Sequence, residues 1–340
     1  MLGYVAFGRL HPAIPAGSGN PTHFSRGIVI PKAFMLCGAL ALVPAIAAAQ
    51  SDPDADQCRT ITRNPDLAIQ HCTRAIQSGR LAPGVLAQVY LSRGVDLTAK
   101  GEFDRAIADF DAAIKTDAKL TEAYYSRGIA WANKGEPDRA IADFDAMLRA
   151  DPDNADALHS RGTEWTVKGD YRRALADFDA SLRLNPKGRD VHFPRGRALF
   201  YSGDYARAAA EFAQAHQAQP SDYTALWLYL ARKRGGGAGA EALIERETRA
   251  TRDGGWPSGV IALYAGEAEP EPVMKSADDR DPKKQVEQRC EGNFYIAHWH
   301  LLKNADDRAL PLLEEARRSC PKNGIEYEGA LAALRELTSR

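Results

Sequence analysis

One interval organises most of this chain. Gly94, Gly128, Gly162 and Gly196 lie 34 residues apart, and the same step relates Gly101, Gly135, Gly169 and Gly203. Two further columns keep that register: Ala106, Ala140, Ala174 and Ala208, then Phe110, Phe144, Phe178 and Phe212. Four columns in one phase require a repeated structural unit, because composition bias alone has no phase. Within residues 87–120, Tyr90 and Leu97 share one helical face, and Phe103, Ile107, Phe110 and Ile114 share another. Gly101 separates the two. The spacing predicts two antiparallel helices per unit, with Gly94 and Ala106 allowing close approach and Phe110 filling the remaining gap. Asp151-Pro152, Asn185-Pro186 and Gln219-Pro220 stop the second helix, since a residue before proline is pushed out of the α region.

These residues, in that order, resemble the tetratricopeptide repeat. The resemblance covers residues 87–222 as four units: 87–120, 121–154, 155–188 and 189–222. It departs locally, with Ala118 for the closing proline, Ser181 for a small Ala, and Pro137 where other units carry Phe103, Tyr171 and Tyr205. Pro137 falls in a first helical turn, where a missing N–H is harmless. The resemblance implies an all-α fold, an α-solenoid wound as a right-handed superhelix. A single hairpin cannot bury its apolar face, so the array needs capped ends. Residues 50–86 supply an N-terminal cap, in which Pro65 to Ile76 match a second helix with Cys72 in the Phe110 column. Residues 223–289 are expected to hold a degenerate unit, broken by Gly235 to Gly237, and a mobile loop from Gly266 to Pro282. Residues 290–340 are expected to hold a divergent pair aligned on Ala309, Ala316 and Pro321, then a capping helix over 325–337.

The 340 residues carry 44 Lys and Arg against 45 Asp and Glu, so there is no overall basic field to gather a nucleic-acid backbone, and nucleic acid is not an expected partner. Residues 33–49 read AFMLCGALALVPAIAAA behind Lys32 and end in small residues, the order of a secretory signal peptide. Residues 1–49 are accordingly expected to be a signal peptide behind a mis-set N-terminus, with translation starting at Val29 or Met35. Retention of the segment as a membrane anchor is the competing reading. Cys37 lacks the small preceding residue of a lipid-attachment site. Cleavage would remove Arg9, Arg26 and Lys32 and no acid, leaving a net charge of −4.

Four cysteines then remain, an even number suited to disulfides in an oxidising compartment. The repeat register places Cys290 and Cys320 at adjoining ends of two antiparallel helices, and Cys58 opposite Cys72 across the upstream hairpin. The expected pairs are Cys58–Cys72 and Cys290–Cys320; four free buried thiols are the alternative.

Catalytic and cofactor motifs are scarce: no GxSxG, HExxH, Walker or dinucleotide glycine pattern occurs. His298 and His300 are two apart and point differently on a helix, so no metal, cofactor or catalytic residue is assigned. Arg93, Arg127, Arg161 and Arg195 recur with Asp109, Asp143, Asp177 and Glu211. Their invariance points to a structural ion-pair ladder rather than a ligand track, since specificity should lie where units differ.

In the tetratricopeptide family the inner surface is lined by the second, fifth, ninth, twelfth and thirteenth residues of a unit. The resemblance carries this role to Tyr125, Ile129 and Asn133, then His159 and Thr163, then Asp190, Phe193, Arg197, Phe200 and Tyr201, with Trp227 beyond. Aromatic residues with one Arg suit a protein or extended-peptide partner. Packing of Phe193, Phe200 and Trp227 beneath the degenerate segment is the competing reading. The expectation is a non-enzymatic, exported, periplasmic or secreted binding scaffold. Trp256-Pro257, Cys290-Glu291, Phe294-Tyr295 and Glu326-Tyr327 give a further resemblance to NlpI-type envelope adaptor lipoproteins, which implies a link to proteases or cell-wall hydrolases. A hydrolase using His159 and Asp190 is the alternative from another class.

Overall fold

A computed structural model describes residues 52–60, 64–250 and 256–338. The expected signal at 1–49 lies outside them. Among the described residues there are seventeen α-helices, one 3-10 turn and no strand. From Pro53 onward they form one compact unit. The chain is an α-solenoid of antiparallel helix pairs.

Helices α1 (Pro53–Thr60) and α2 (Pro65–Gln77) form the upstream hairpin. Four repeat units follow: α3 (Pro83–Ala99) with α4 (Phe103–Thr116), α5 (Thr121–Asn133) with α6 (Pro137–Ala150), α7 (Ala155–Lys168) with α8 (Tyr171–Leu184), and α9 (His192–Tyr201) with α10 (Tyr205–Ala218). The last first-helix starts late, after a 3-10 turn at Arg189–Val191. Pro194 explains this: without an N–H it is tolerated only in a first turn, so α9 begins two residues before it.

The columns do what their spacing demands. A Cβ built on Gly94 would lie 2.5 Å from the Phe110 ring, and one on Gly128 would lie 2.7 Å from the Phe144 ring. Only a glycine admits the ring there. Gly101, Gly135, Gly169 and Gly203 turn the chain with φ of 76°, 73°, 81° and 84°. Asn304 takes the same role in the divergent pair, with φ 56°, asparagine being among the few other residues that tolerate the left-handed region.

The arginine ladder is present and is richer than its spacing indicates. Arg127 donates Nε and Nη2 to both oxygens of Asp143, at 2.9 and 2.6 Å, and Nη1 to Asp111 of the preceding unit at 2.5 Å. Arg161 repeats this with Asp177 and Asp145, and Arg195 bridges Glu211 and Asp179. Arg93 holds Asp109 and turns its third nitrogen to Thr73 of the cap. Each guanidinium therefore ties a hairpin internally and to its predecessor, a double role that its planar fork permits.

Beyond the fourth unit come α11 (Asp222–Arg234), α12 (Ala240–Ala250), α13 (Ser258–Ala265), α14 (Pro270–Ser276), α15 (Pro282–Leu302), α16 (Asp306–Ser319) and α17 (Ile325–Thr338). The loop expected from Gly266 to Pro282 contains α14 instead. Pro270 and Pro272 lie in its first turn, where they cost no hydrogen bond, and Val273 and Ala277 are buried. Helix α15 also begins eight residues before Cys290, so the divergent pair is longer than its repeat register. Cys58 pairs with Cys72 and Cys290 with Cys320, at Cα–Cα separations of 4.7 and 5.1 Å.

Candidate binding face

The residues carried over as an inner surface divide into two groups. On α5 and α7 the side chains of Tyr125, Ile129, Asn133, His159 and Thr163 are half-buried. Tyr125 packs on Phe144 at 5.7 Å and shares a 3.3 Å hydrogen bond with Ser160, while His159 stands edge-on to Phe178 at 5.9 Å. Burial raises the Tyr125 phenol to about 12, and the nearby carboxylates of Asp156 and Asp190 add to this. Asn133 and Thr163 donate to carbonyls one turn back, those of Ile129 and His159. His159 Nδ1 is 3.8 Å from exposed Asp190, an ion-pair rather than a hydrogen-bond distance.

The second group is not a surface. Phe193, Arg197, Phe200 and Trp227 are buried, and Tyr201 is largely covered. Trp227 meets Phe193, Phe200, Tyr201, Phe212 and Phe294 at centroid distances of 5.4–6.0 Å. The packing alternative therefore holds for these residues. The reason lies in α11, whose eight consecutive residues from Thr224 to Ala231 are all buried. A helix apolar around its whole circumference must be covered on every side. Helix α15 supplies much of the cover, with Phe294, Tyr295 and Ile296 in the same cluster. The run ALWLYLA was the available sequence signal.

Helix α17 then packs against α9. Arg197 Nη1 donates to Glu328 at 2.9 Å with both side chains 5% exposed. Tyr201 donates to the Ile325 carbonyl at 3.5 Å, and a Cβ on Gly329 would lie 2.4 Å from the Phe294 ring. Arg234 of α11 donates to Glu336 at 2.5 Å. At the turns of the second and third units, Gly135 abuts Lys322 and Gly169 abuts Arg335. None of these contacts has a periodic signature, so none is visible in the repeat register.

Beneath α17 lies a buried polar layer. Glu291 accepts from Trp256 Nε1 at 2.5 Å and Tyr223 OH at 2.7 Å, and burial raises its carboxyl. Burial, and then the charge of Glu291, push Glu326 up to about 8. His298, against Phe294 at 4.5 Å and Phe200 at 6.0 Å, is brought down to about 3 by burial. Among the described residues no three or more side chains gather as a metal site. His298 is a core residue, and Trp299 donates to the Leu263 carbonyl at 3.2 Å under the ammonium of Lys303.

A tetratricopeptide-repeat family model matches residues 91–155, 167–224 and 193–243. Among solved structures, the chain is similar to YrrB, described as a tetratricopeptide-repeat protein with an unusual peptide-binding site. That likeness has 22% identity, 58% of this chain and 98% of that one, and a TM-score of 0.46. A tetratricopeptide-repeat protein from Parabacteroides merdae aligns at 16% identity over 79% of this chain and 92% of its own, with a TM-score of 0.47. MamA aligns at 20% identity over 49% and 95%, with a TM-score of 0.44. The matched segments overlap the helix pairs whose glycine, alanine and phenylalanine columns were traced above, and within those segments the chain is built of tetratricopeptide repeats.

Proposed function

We propose that this protein is an exported, non-catalytic scaffold that holds a protein or an extended peptide on the inner face of its second and third units. One observation carries the reading: Tyr125, Ile129, Asn133, His159 and Thr163 stay half-exposed while the equivalent face of α9 is covered by the chain itself. A face of this kind offers an aromatic anchor, an apolar centre and polar groups at fixed spacing. Exposed carboxylates at Glu122, Asp156 and Asp190 recur at one register position beside it and favour a segment bearing Lys or Arg. Export is supported by the apolar segment at 33–49 and by two disulfides, which persist in oxidising compartments. In its specific form the scaffold is an envelope adaptor for proteases or cell-wall hydrolases.

Affinity capture from an envelope fraction tests this with wild type and a Tyr125→Ser/His159→Ala variant of matched melting temperature. The expected result is one partner recovered by wild type and reduced about tenfold by the variant, as loss of a central anchor demands. Equal recovery would move the contact off this face. The N-terminal residue of the mature protein reports on export: a start near Gln50 supports cleavage, and a retained 33–49 segment supports a tethered form.

A further inference from the structure

Three buried carboxylates share the layer beneath the start of α17, and one guanidinium serves them. Glu291, Glu326 and Glu328 are 8, 9 and 5% exposed, and Arg197 is 5% exposed. Arg197 is committed to Glu328. Among the described residues no Lys or Arg forms an ion pair with Glu291 or Glu326, and the two raise each other's neighbourhood in negative charge. Buried charge is costly unless it is paired, so a layer in this ratio is short of one positive charge. In the free protein protonation meets the imbalance, and burial favours it at Glu326. A cation that also donates hydrogen bonds would meet it better.

The acceptors converge from two helices. Glu291 and Tyr295 are four residues apart on α15 and so share a face, and Glu326 lies in the first turn of α17. Trp256 Nε1 and the Tyr223 hydroxyl both donate to Glu291 Oε2, and Oε1 takes no hydrogen bond among the described residues. The Tyr295 hydroxyl is fully buried without a hydrogen-bond partner and stands in the field of Glu326 first and Glu291 second. Buried groups left unpaired are uncommon and costly. Glu291 and Glu326 keep a sliver of exposure while Tyr295 has none, so the carboxylates lie on the open side and the hydroxyl at the back. The half-buried rings of Trp256 and Tyr223 stand beside Glu291. A narrow opening of this kind admits a slender chain that carries its charge at the tip.

We propose that this junction of α11, α15 and α17 is a binding site for a primary ammonium group, that of a lysine side chain on a partner protein, held by Glu291, Glu326 and the Tyr295 hydroxyl. An ammonium has three donors, and Glu291 Oε1, a Glu326 oxygen and the Tyr295 oxygen are three acceptors. Two carboxylates and a hydroxyl are too few for a metal ion, and no three or more metal-ligating side chains gather among the described residues. The rings of Trp256 and Tyr223 offer apolar and π surface to the methylene stem and the cation. A guanidinium, planar and forked, is a poorer match to an opening this narrow. All helices stay in place. The site is separate from the Tyr125–His159 face, and only the assignment of the lysine to a protein partner rests on the scaffold reading.

Nα-acetyl-lysine amide serves as the probe, titrated into the full-length chain at constant ionic strength and followed by broadening of its side-chain NMR signals. The expected result is saturable binding that Glu291→Gln/Glu326→Gln weakens at least about tenfold, the loss that follows when hydrogen bonds to a charged group are removed. Tyr295→Phe, which deletes only the buried hydroxyl, should weaken it about threefold to tenfold. Unchanged affinity in the double variant overturns the proposal, as does equal binding of tetramethylammonium, which has the charge and no N–H. A wild-type comparison covers the case in which the variants do not fold: acetylating the probe at Nε should weaken binding at least about tenfold, and equal affinity of the two probes overturns the proposal. Butylammonium separates the sources of the group. Binding no tighter than that of the lysine derivative supports a lysine side chain, and binding at least about tenfold tighter overturns that assignment in favour of a free amine. Tyr125→Ser/His159→Ala leaves these results unchanged, so failure of the envelope capture and failure of this experiment are separate events.

Discussion

Arg197 on α9 and Glu328 on α17 are 131 residues apart and form a 2.9 Å ion pair, each side chain 5% exposed. Burial on this scale makes the pair unforgiving of one-sided change. Arg197→Met strands Glu328 in a low-dielectric layer that already holds Glu326, and should cost about 3–5 kcal/mol. The double variant Arg197→Met/Glu328→Met removes the stranded charge and should be more stable than either single change. Denaturant titration of the four proteins measures the coupling.

The glycine columns give a steric prediction. Gly128→Ala places a methyl 2.7 Å from the Phe144 ring inside a packed hairpin and should destabilise by about 1–3 kcal/mol. Phe144→Leu in the same chain should recover part of the loss, which a thermal melt of single and double variants would show. If Gly128→Ala melts like wild type, close approach is not what this column provides.

The disulfides close separations of 14 and 30 residues, worth about 3 and about 4 kcal/mol in the loop-closure model. Unreduced intact mass should be four hydrogens below the all-thiol value for these two bonds. Cys58→Ser/Cys72→Ser should raise hydrogen exchange in α1 and α2 while the central units keep their protection, because repeat stability is carried by nearest neighbours.

Glu326 has a definite pH signature. Its carboxyl, faced by Glu291, Glu328 and Arg197, is raised from 4.5 to about 8 chiefly by burial. The folded protein thus holds a proton that the unfolded chain releases, so this contribution is fully present below about pH 4.5 and is lost as pH rises through about 8. Glu326→Gln keeps the neutral form and should melt higher than wild type near pH 9, with the two curves converging near pH 5. Parallel curves at all pH values would show that Glu326 titrates normally.

His298 acts in the opposite direction. Burial lowers it from 6.5 to about 3, so its contribution is present above pH 6.5 and is lost as pH falls toward 3. With both ring nitrogens unpaired among Phe294 and Phe200, His298→Phe should stabilise at pH 7 by about 1–3 kcal/mol, the cost of an unmade buried hydrogen bond. It should also flatten the acid limb of a melting-temperature profile.

What the sequence alone determined is the repeated unit. Gly94, Gly101, Ala106 and Phe110 act within one hairpin, between residues fewer than twenty apart, and selection for that local fit writes the same letters every 34 residues. The arginine ladder and the hairpins were legible for the same reason, and the two disulfides because the register sets each cysteine pair at adjoining ends of antiparallel helices. The fate of the inner face was decided by tertiary structure. Phe193, Phe200 and Trp227 read as an anchor set on a repeat map, yet they are core, because α11 is apolar on all sides and the chain folds α15 and α17 back over it. That closure depends on single encounters such as Gly329 with Phe294 and Glu336 with Arg234. A contact made once between distant segments leaves no period in the sequence, and only the folded chain brings its two halves together.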